Sequence, residues 1–181
     1  MNKLTSVVLL FFFAIGLSAT ACAQAKISQA ASPSQAVRES WNEIGRKLIA
    51  MAEDFPEDKY DFKPVPEQRS FAEQLLHVAG SNDYFIDVAE GKKPTDDEDR
   101  SHYPGKTAVV GYLKKSFAAG SALIQAKGDQ GMTSVGKDES GKPVLLTDLA
   151  YGVVEHSAEH YGQLVVYYRV AGLVPPESRK K

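Results

Sequence analysis

Apolar residues recur at alternating spacings of four and three between Ser32 and Pro56. Because this period keeps them on one helical face, the segment is predicted to be an amphipathic helix with an inward stripe. Ser32, followed by Pro33 and then by Gln35 three positions on, predicts the N-terminal cap, and Pro56 predicts the end. The stripe, in which Trp41 is expected to be buried, consists of Val37, Trp41, Ile44, Leu48, Met51 and Phe55.

A second helix is predicted to begin at Ser70, which forms a capping box with Glu73, and to run to Gly91. Its apolar sector consists of Phe71, Leu75, Val78, Phe85 and Ile86. His77 falls at the border of this sector, beside the polar Gln74. The His77 side chain is therefore predicted to point inward or nearly so.

The loop after this helix, "KKPTDDEDRSHYPG", is acidic but lacks the spaced ligands and the glycine of an EF-hand calcium loop. We predict a solvated turn with His102 exposed. A third helix is predicted from about Thr107 to Lys127. Its stripe consists of Val110, Leu113, Phe117, Gly120 and Ile124. The glycine-rich connector that follows, "GDQGMTSVGKDESGKP", is predicted to be either a small hairpin or an irregular segment.

The last helix is predicted to begin near Thr147 or Asp148 and to end at Gly172, ahead of Pro175 and Pro176. Its predicted inward seam consists of Leu149, Val153, His156, His160, Gln163, Tyr167 and Val170. Two histidines therefore stand where a buried helix face ordinarily carries apolar side chains.

Four amphipathic helices without a convincing strand pattern predict an all-α fold, a four-helix bundle over residues 34–176. Residues 24–33 are predicted to be a flexible lead, and residues 177–181 a short tail. Bundles of this kind build metal sites in their core from side chains on facing helices.

The first 23 residues have the layout of a secretory signal peptide, with Lys3, an apolar run and then small residues up to Ala23. The apolar run is too short for a transmembrane helix. We therefore expect cleavage after Ala23 and export to the periplasm or the medium. Cys22 raises the alternative of a lipid anchor, although Ala19 stands where a lipobox usually carries Leu, Val or Ile.

Charge and cysteine content narrow the classes of function. The chain has 21 Lys and Arg and 23 Asp and Glu, and loss of Lys3 with the signal peptide leaves a net charge of about −3 without a basic tract. Nucleic acid is therefore not an expected partner. Cys22 is the one cysteine, so cleavage after Ala23 leaves no disulfide and no thiolate nucleophile.

His156 and His160 lie four positions apart, so both rings can reach one ion from the same side of a helix. Buried neutral imidazoles need hydrogen-bond partners, which an apolar seam rarely provides. Two alternatives stay open, a shared metal ion and a satisfied polar cluster. His77 is the candidate third ligand, and its alternative is a border histidine that bonds to a neighbour.

The segment "HSAEH" at residues 156–160 also matches the H-x-x-E-H pattern of the inverted zinc proteases, in which the glutamate is the general base. Those enzymes take a third ligand, also a glutamate, from well downstream. The one acid that follows His160 is Glu177 in the terminal tail. A protease is therefore not the favoured interpretation.

Two stretches, "SFAEQLLHVAGSNDYF" and "LLTDLAYGVVEHSAEHYGQLVVYYRVAGLVPP", resemble the DinB family of bacterial proteins, also called the DinB/YfiT-like metalloenzymes. The resemblance covers residues 34–176, nearly the whole mature chain. It implies a four-helix bundle in which His77, His156 and His160 bind one divalent metal ion. Many members have Arg where this chain has Tyr161, which puts any role of that Arg in doubt.

The resemblance also implies a metal-dependent transferase or hydrolase that activates a small thiol or water for attack on an unidentified small-molecule substrate. Three histidines leave coordination positions open, and imidazole suits both zinc and nickel. Because the mature chain has no cysteine, any thiol must be a low-molecular-weight cosubstrate. The alternative function is a non-catalytic metal-binding or stress-related helical module, and a homodimer stays open.

Glu159 and Gln163 flank the two histidines of the last helix. Each is a candidate to orient an imidazole ring or a bound water from outside the ligand shell. The alternative for Glu159 is a solvated surface acid.

Overall fold

The computed structural model describes residues 32–95 and 98–180. The predicted signal peptide, the cleavage site after Ala23, the candidate lipid anchor at Cys22 and nearly all of the predicted lead lie outside these residues. Those expectations stay predictions.

Four helices and a short hairpin make up the described chain. The helices are α1 (Pro33–Asp54), α2 (Phe71–Ala89), α3 (Gly105–Met132) and α4 (Leu146–Val170). The strands are β1 (Val135–Lys137) and β2 (Pro143–Leu145), and single 3-10 turns lie at Glu57–Lys59, Arg100–His102 and Pro176–Ser178. The predicted four-helix architecture is confirmed.

The N-terminal caps of α1 and α2 are the predicted ones. In α1, the Ser32 hydroxyl accepts from the Gln35 backbone N–H, and the Gln35 side chain accepts from the Ser32 N–H at 3.0 Å. In α2, Ser70 and Glu73 form the same reciprocal pair. Each pair satisfies backbone N–H groups that a helix start leaves without a partner, so these local sequences determine where α1 and α2 begin.

The connector between α3 and α4 is more regular than the apolar pattern predicts. α3 continues beyond Lys127 to Met132, and Gly128 interrupts it with a non-helical φ of 56° and ψ of −171°. β1 and β2 then pair antiparallel, with Gly136 opposite Val144. Of the two predicted alternatives, the hairpin is confirmed. Glycine reaches this positive φ without strain, and the break in helical period at Gly128 explains why the stripe ends early.

The packing order of the helices determines where a site can form. α1 and α2 each pack against both α3 and α4. α1 and α2 therefore lie diagonally across the bundle, and so do α3 and α4. As a result α2 faces α4, and these two helices carry all three candidate histidines.

The contact between α1 and α3 centres on Trp41, which is fully buried as predicted. Its indole N–H donates to the Phe117 carbonyl at 2.9 Å, and its ring packs against Phe85 and Phe117. Gly120 makes room for the indole, because a Cβ at that position would lie 2.1 Å from the Trp41 ring. The rest of the α1 stripe is buried except Val37, which is partly buried.

The buried face of α4 is rotated from the predicted seam. Gln163 and Val170 are exposed, whereas the buried residues are Leu146, Ala150, Val153, Ser157, His160, Leu164, Tyr167 and Tyr168. The two adjacent tyrosines explain the difference, since each donates its hydroxyl to a backbone carbonyl, of Arg69 and of Met51 respectively. The side of α4 that faces the core is therefore centred between Tyr167 and Tyr168. As a result the Val170 side chain points to solvent.

The C-terminal residues contact α1. Glu177 pairs with Arg46 at 2.8 Å, and Arg179 pairs with Asp54 at 2.5 Å. Within residues 32–95 and 98–180, each helix is too short or too polar to cross a bilayer.

Candidate metal centre

The three predicted histidines meet between α2 and α4. One nitrogen of His77, one of His156 and one of His160 lie within 4.8 Å of one another. The ring centroids are 4.4–4.9 Å apart, and the ring planes are inclined to one another by 75–79°. In the described part of the chain, no other group of three His, Cys, Asp or Glu side chains converges in this way.

Burial differs among the three rings. His160 is buried, with 5% of its surface exposed, whereas His77 and His156 are half-buried. The cluster therefore sits at the boundary between the core and the surface, with its inner side on His160. His102 lies on the exposed 3-10 turn and is not a member of the group.

A glutamine orients the His160 ring. The Gln74 side-chain oxygen lies 2.6 Å from His160 Nδ1. The Gln74 amide nitrogen donates to Gln163 Oε1 at 2.9 Å and to the Tyr167 hydroxyl at 3.3 Å. Because those contacts fix the amide orientation, His160 Nδ1 must carry the hydrogen. The neutral ring then has its lone pair on Nε2.

A glutamate orients the His77 ring in the same way. Glu98 Oε1 lies 2.6 Å from His77 Nδ1, and Glu98 Oε2 lies 3.9 Å from the Arg69 guanidinium. A carboxylate at this distance accepts the Nδ1 hydrogen, so a neutral His77 ring also has its lone pair on Nε2. Histidines that bind metals usually donate their second nitrogen to a carboxylate or an amide oxygen in this manner.

The electrostatics of the cluster favour neutral imidazoles. Burial, followed by the neighbouring His156 and His77 rings, lowers the pKa of His160 to about 4. Burial, followed by the His77 ring, also lowers the pKa of His156. Both rings are therefore neutral at neutral pH, the protonation state that metal binding requires.

These observations test whether the residues present fit a divalent ion. The donors are three imidazole nitrogens, and oxygen acceptors fix the tautomers of two of the rings. Nitrogens around one tetrahedral zinc ion lie about 3.3 Å apart, given Zn–N bonds of about 2.0–2.1 Å. The observed spread of up to 4.8 Å needs only small side-chain rotations to reach this. The donor set fits the ion.

The two candidate supporting residues, Glu159 and Gln163, form no direct hydrogen bond to a ligand ring among the described residues. Gln163 reaches His160 only through Gln74. Glu159 is exposed, and its negative charge acts on His156 by raising that pKa against the larger effect of burial. Glu159 therefore makes no hydrogen bond to a ligand ring in the described structure.

Sequence reasoning missed the direct partners, Gln74 and Glu98. Gln74 carries a local signal, since it is a polar residue one helical turn before His77 on a largely buried helix. Glu98 carries none, because it belongs to the acidic loop that was predicted to be solvated. That prediction is wrong at Glu98, which the contact with His77 holds half-buried.

A cavity of about 450 Å³ opens beside the cluster, and His77 and His156 form part of its wall. α2 and α4 provide two sides, and Val144 of β2 contributes to a third. The Tyr84 hydroxyl, also at the cavity, donates to Glu139 in the hairpin turn. Burial, followed by this contact, raises the pKa of Tyr84 to about 12, so the phenol stays neutral.

Comparison with known proteins agrees with the fold. Residues 41–164 match the sequence model of the DinB superfamily. A DinB-like protein from Bacillus cereus superposes with a TM-score of 0.66 at 17% identity, covering 77% of this chain and 93% of that one. The DinB-like protein YjoA from Bacillus subtilis superposes with a TM-score of 0.63 at 20% identity, covering 81% and 99%.

A third similar structure is YfiT from Bacillus subtilis, described as a probable metal-dependent hydrolase with an unusual four-helix bundle topology. It superposes with a TM-score of 0.62 at 16% identity, covering 77% of this chain and 88% of that one. At these identities the structural likeness shows the fold alone. No curated protein matches the chain in sequence.

Proposed function

The chain belongs to the DinB superfamily, and we propose that it is an exported metal-dependent enzyme. In this proposal His77, His156 and His160 bind one divalent ion, zinc or nickel, and the enzyme activates water or a small thiol against a small molecule. A metal ion held by three neutral histidines acts as a Lewis acid and lowers the pKa of a bound water or thiol.

The cavity beside the cluster is the observation that carries the catalytic part of the proposal. A purely structural ion is usually enclosed by four protein ligands, whereas a catalytic site keeps a coordination position open to substrate. Here two of the three histidines line a space of about 450 Å³, which lies in the ordinary size range of small-molecule sites.

The chain's own residues have definable roles in this site. Gln74 and Glu98 hold the rings of His160 and His77 in the tautomer that leaves Nε2 available. Arg69 lies within 3.9 Å of Glu98 and keeps that carboxylate beside His77. The description of YfiT as a metal-dependent hydrolase adds support by analogy of fold and site.

Metal content distinguishes the site from a polar cluster. We expect one ion per chain by mass spectrometry after dialysis, lost in His77→Ala, His156→Ala and His160→Ala. His102→Ala is the matched control, because that histidine lies outside the cluster, and it should retain the ion. Full occupancy in His77→Ala would reduce the site to a two-histidine pair.

Turnover tests the catalytic part. Zinc-loaded and nickel-loaded protein should hydrolyse members of a panel of chromogenic esters and anilides, or conjugate free cysteine to a chlorodinitrobenzene acceptor. The activity should vanish in His156→Ala and persist in His102→Ala. Full metal occupancy without turnover on either panel would favour the alternative, a non-catalytic module whose ion ties α2 to α4.

Export is supported by the sequence pattern of residues 1–23, and it is tested separately. Intact mass of the protein recovered from the periplasm should correspond to a chain that starts at Gln24. Cytoplasmic protein that retains Met1 would contradict export, and a diacylated Cys22 would show lipid anchoring instead.

A further inference from the structure

The cavity beside the histidines has two chemically different ends. On α4, Asp148, Gly152 and His156 line it at intervals of four residues, so they form one row about 12 Å long. On the facing wall of α2, His77 and Tyr84 line the same space. The histidines therefore lie at one end of the row and Asp148 lies at the other.

Glycine keeps the middle of the row open. A Cβ at Gly152 would have no heavy atom within 4 Å, and Gly80 of α2 lines the same space. Apolar surface around this gap comes from Leu149, Val153 and Val144. Glycine is unfavourable inside a helix, and at this position it places no side chain in the cavity.

The charges along the cavity have one sign. Among the described lining residues the acids are Glu98 and Asp148, and no Lys or Arg is present. Glu98 is engaged by His77, whereas Asp148 has no hydrogen-bond or salt-bridge partner within the described ranges. The nearby cations, Lys63 and Arg69, line a neighbouring cleft, and Glu98, which lies 3.9 Å from Arg69, lines both spaces.

We propose that the cavity binds small molecules with an apolar body and an amine or guanidinium group, which Asp148 accepts, while the opposite end of the molecule reaches the histidines. The inference names the substrate class of the proposed enzyme, and it rests on the proposed function for the chemistry at the histidine end. The charge of Asp148 disfavours a ligand that carries a carboxylate at the end remote from the histidines.

Asp148 also lies in the first turn of α4, where a negative charge stabilises the helix. The test must therefore separate ligand binding from folding. Asp148→Asn removes the charge and keeps the shape, and its thermal unfolding temperature shows whether the fold is intact.

Calorimetric titration of the zinc-loaded protein with hexylamine and hexan-1-ol measures the contribution of the cationic group. Asp148 is exposed, so we expect hexylamine to bind about two- to fivefold more tightly than the alcohol, as for one ion pair with an exposed carboxylate. In Asp148→Asn this difference should disappear, with the affinity for the alcohol unchanged. Equal binding of both probes to the native protein, or a difference that survives Asp148→Asn, would overturn the proposal.

A second pair of variants locates the binding. Gly152→Leu fills the middle of the cavity, and Gly162→Leu is the matched control on α4, since a Cβ at Gly162 also meets no heavy atom within 4 Å. Both variants should fold and retain metal. Gly152→Leu should bind either probe at least about tenfold more weakly, and Gly162→Leu should bind them normally. Native-like binding by Gly152→Leu would overturn the proposal.

Different results would contradict the proposed function and the proposed substrate class. The proposed function fails if the native protein holds no ion or turns over nothing. The proposed substrate class is contradicted if neither Asp148→Asn nor Gly152→Leu changes the binding of the two probes, whatever the metal content.

Discussion

The two helix pairs on opposite sides of this bundle, α1 with α3 and α2 with α4, are packed in different ways. Between α1 and α3, Trp41 is fully buried, and Gly120 admits its ring so closely that no side chain fits there. Between α2 and α4, three imidazole rings meet and a cavity of about 450 Å³ remains beside them. One interface is filled, and the other keeps polar groups and empty space.

The difference shows how one bundle combines stability with a reactive site. A close-packed apolar contact contributes several kcal/mol, because each buried methylene adds transfer and packing energy. A buried imidazole such as His160 opposes folding unless its nitrogens have partners. Here Gln74 provides one partner, and the proposed ion provides the other. The α1–α3 contact is therefore expected to support stability, and the α2–α4 contact to support function.

Trp41→Ala should have the largest effect on stability. Loss of the buried indole should lower the free energy of unfolding by about 3–5 kcal/mol, measured by urea denaturation. Metal content should be unchanged, because Trp41 contacts Phe85 and Phe117 rather than the histidines. An unfolding midpoint within error of the native value would show that the indole does not support the core.

Glu98→Gln tests the site side of the comparison, and its expected effect is smaller. Glutamine can still accept from His77 but lacks the negative charge, so metal affinity should fall by about 10- to 100-fold, as measured by competition with a chelator. Glu159→Gln is the matched control, because it makes the same change on an exposed acid next to His160. Equal losses in both variants would show that the effect depends on total charge rather than on the contact with His77.

The stability of the metal-free protein should also depend on pH. In the metal-free protein, burial lowers the pKa of His160 from 6.5 to about 4, so the unfolded chain binds its proton at a higher pH than the folded chain does. Protonation therefore favours unfolding, and stability should fall as pH is lowered from about 6.5 to about 4.

The comparison variant for this measurement is His160→Gln, which removes the titrating group and leaves a polar partner for Gln74. The difference in unfolding free energy between the native protein and this variant should change across the same pH window, followed by urea denaturation at each pH. A difference in unfolding free energy that does not change with pH would show that His160 has the same pKa in the folded and unfolded states.

Local sequence determined the helices and the identity of the candidate ligands. The capping pairs at Ser32 and Ser70 define two helix starts, since they satisfy backbone groups within three residues. The four-residue spacing of His156 and His160 places both rings on one face for the same local reason. The border position of His77 on the second helix made it the candidate third ligand, the family resemblance implied the same, and the structure brings it to the other two.

Only the tertiary structure decided which groups surround those ligands. Gln74 reaches His160 across 86 positions in the chain, and Glu98 reaches His77 from a loop 21 positions away. Helical period describes one helix at a time, so it could not show that α2 faces α4 or that Tyr167 and Tyr168 rotate the buried face of α4. The cavity between Asp148 and the histidines follows from the same packing, because it exists only where two glycine-bearing faces meet.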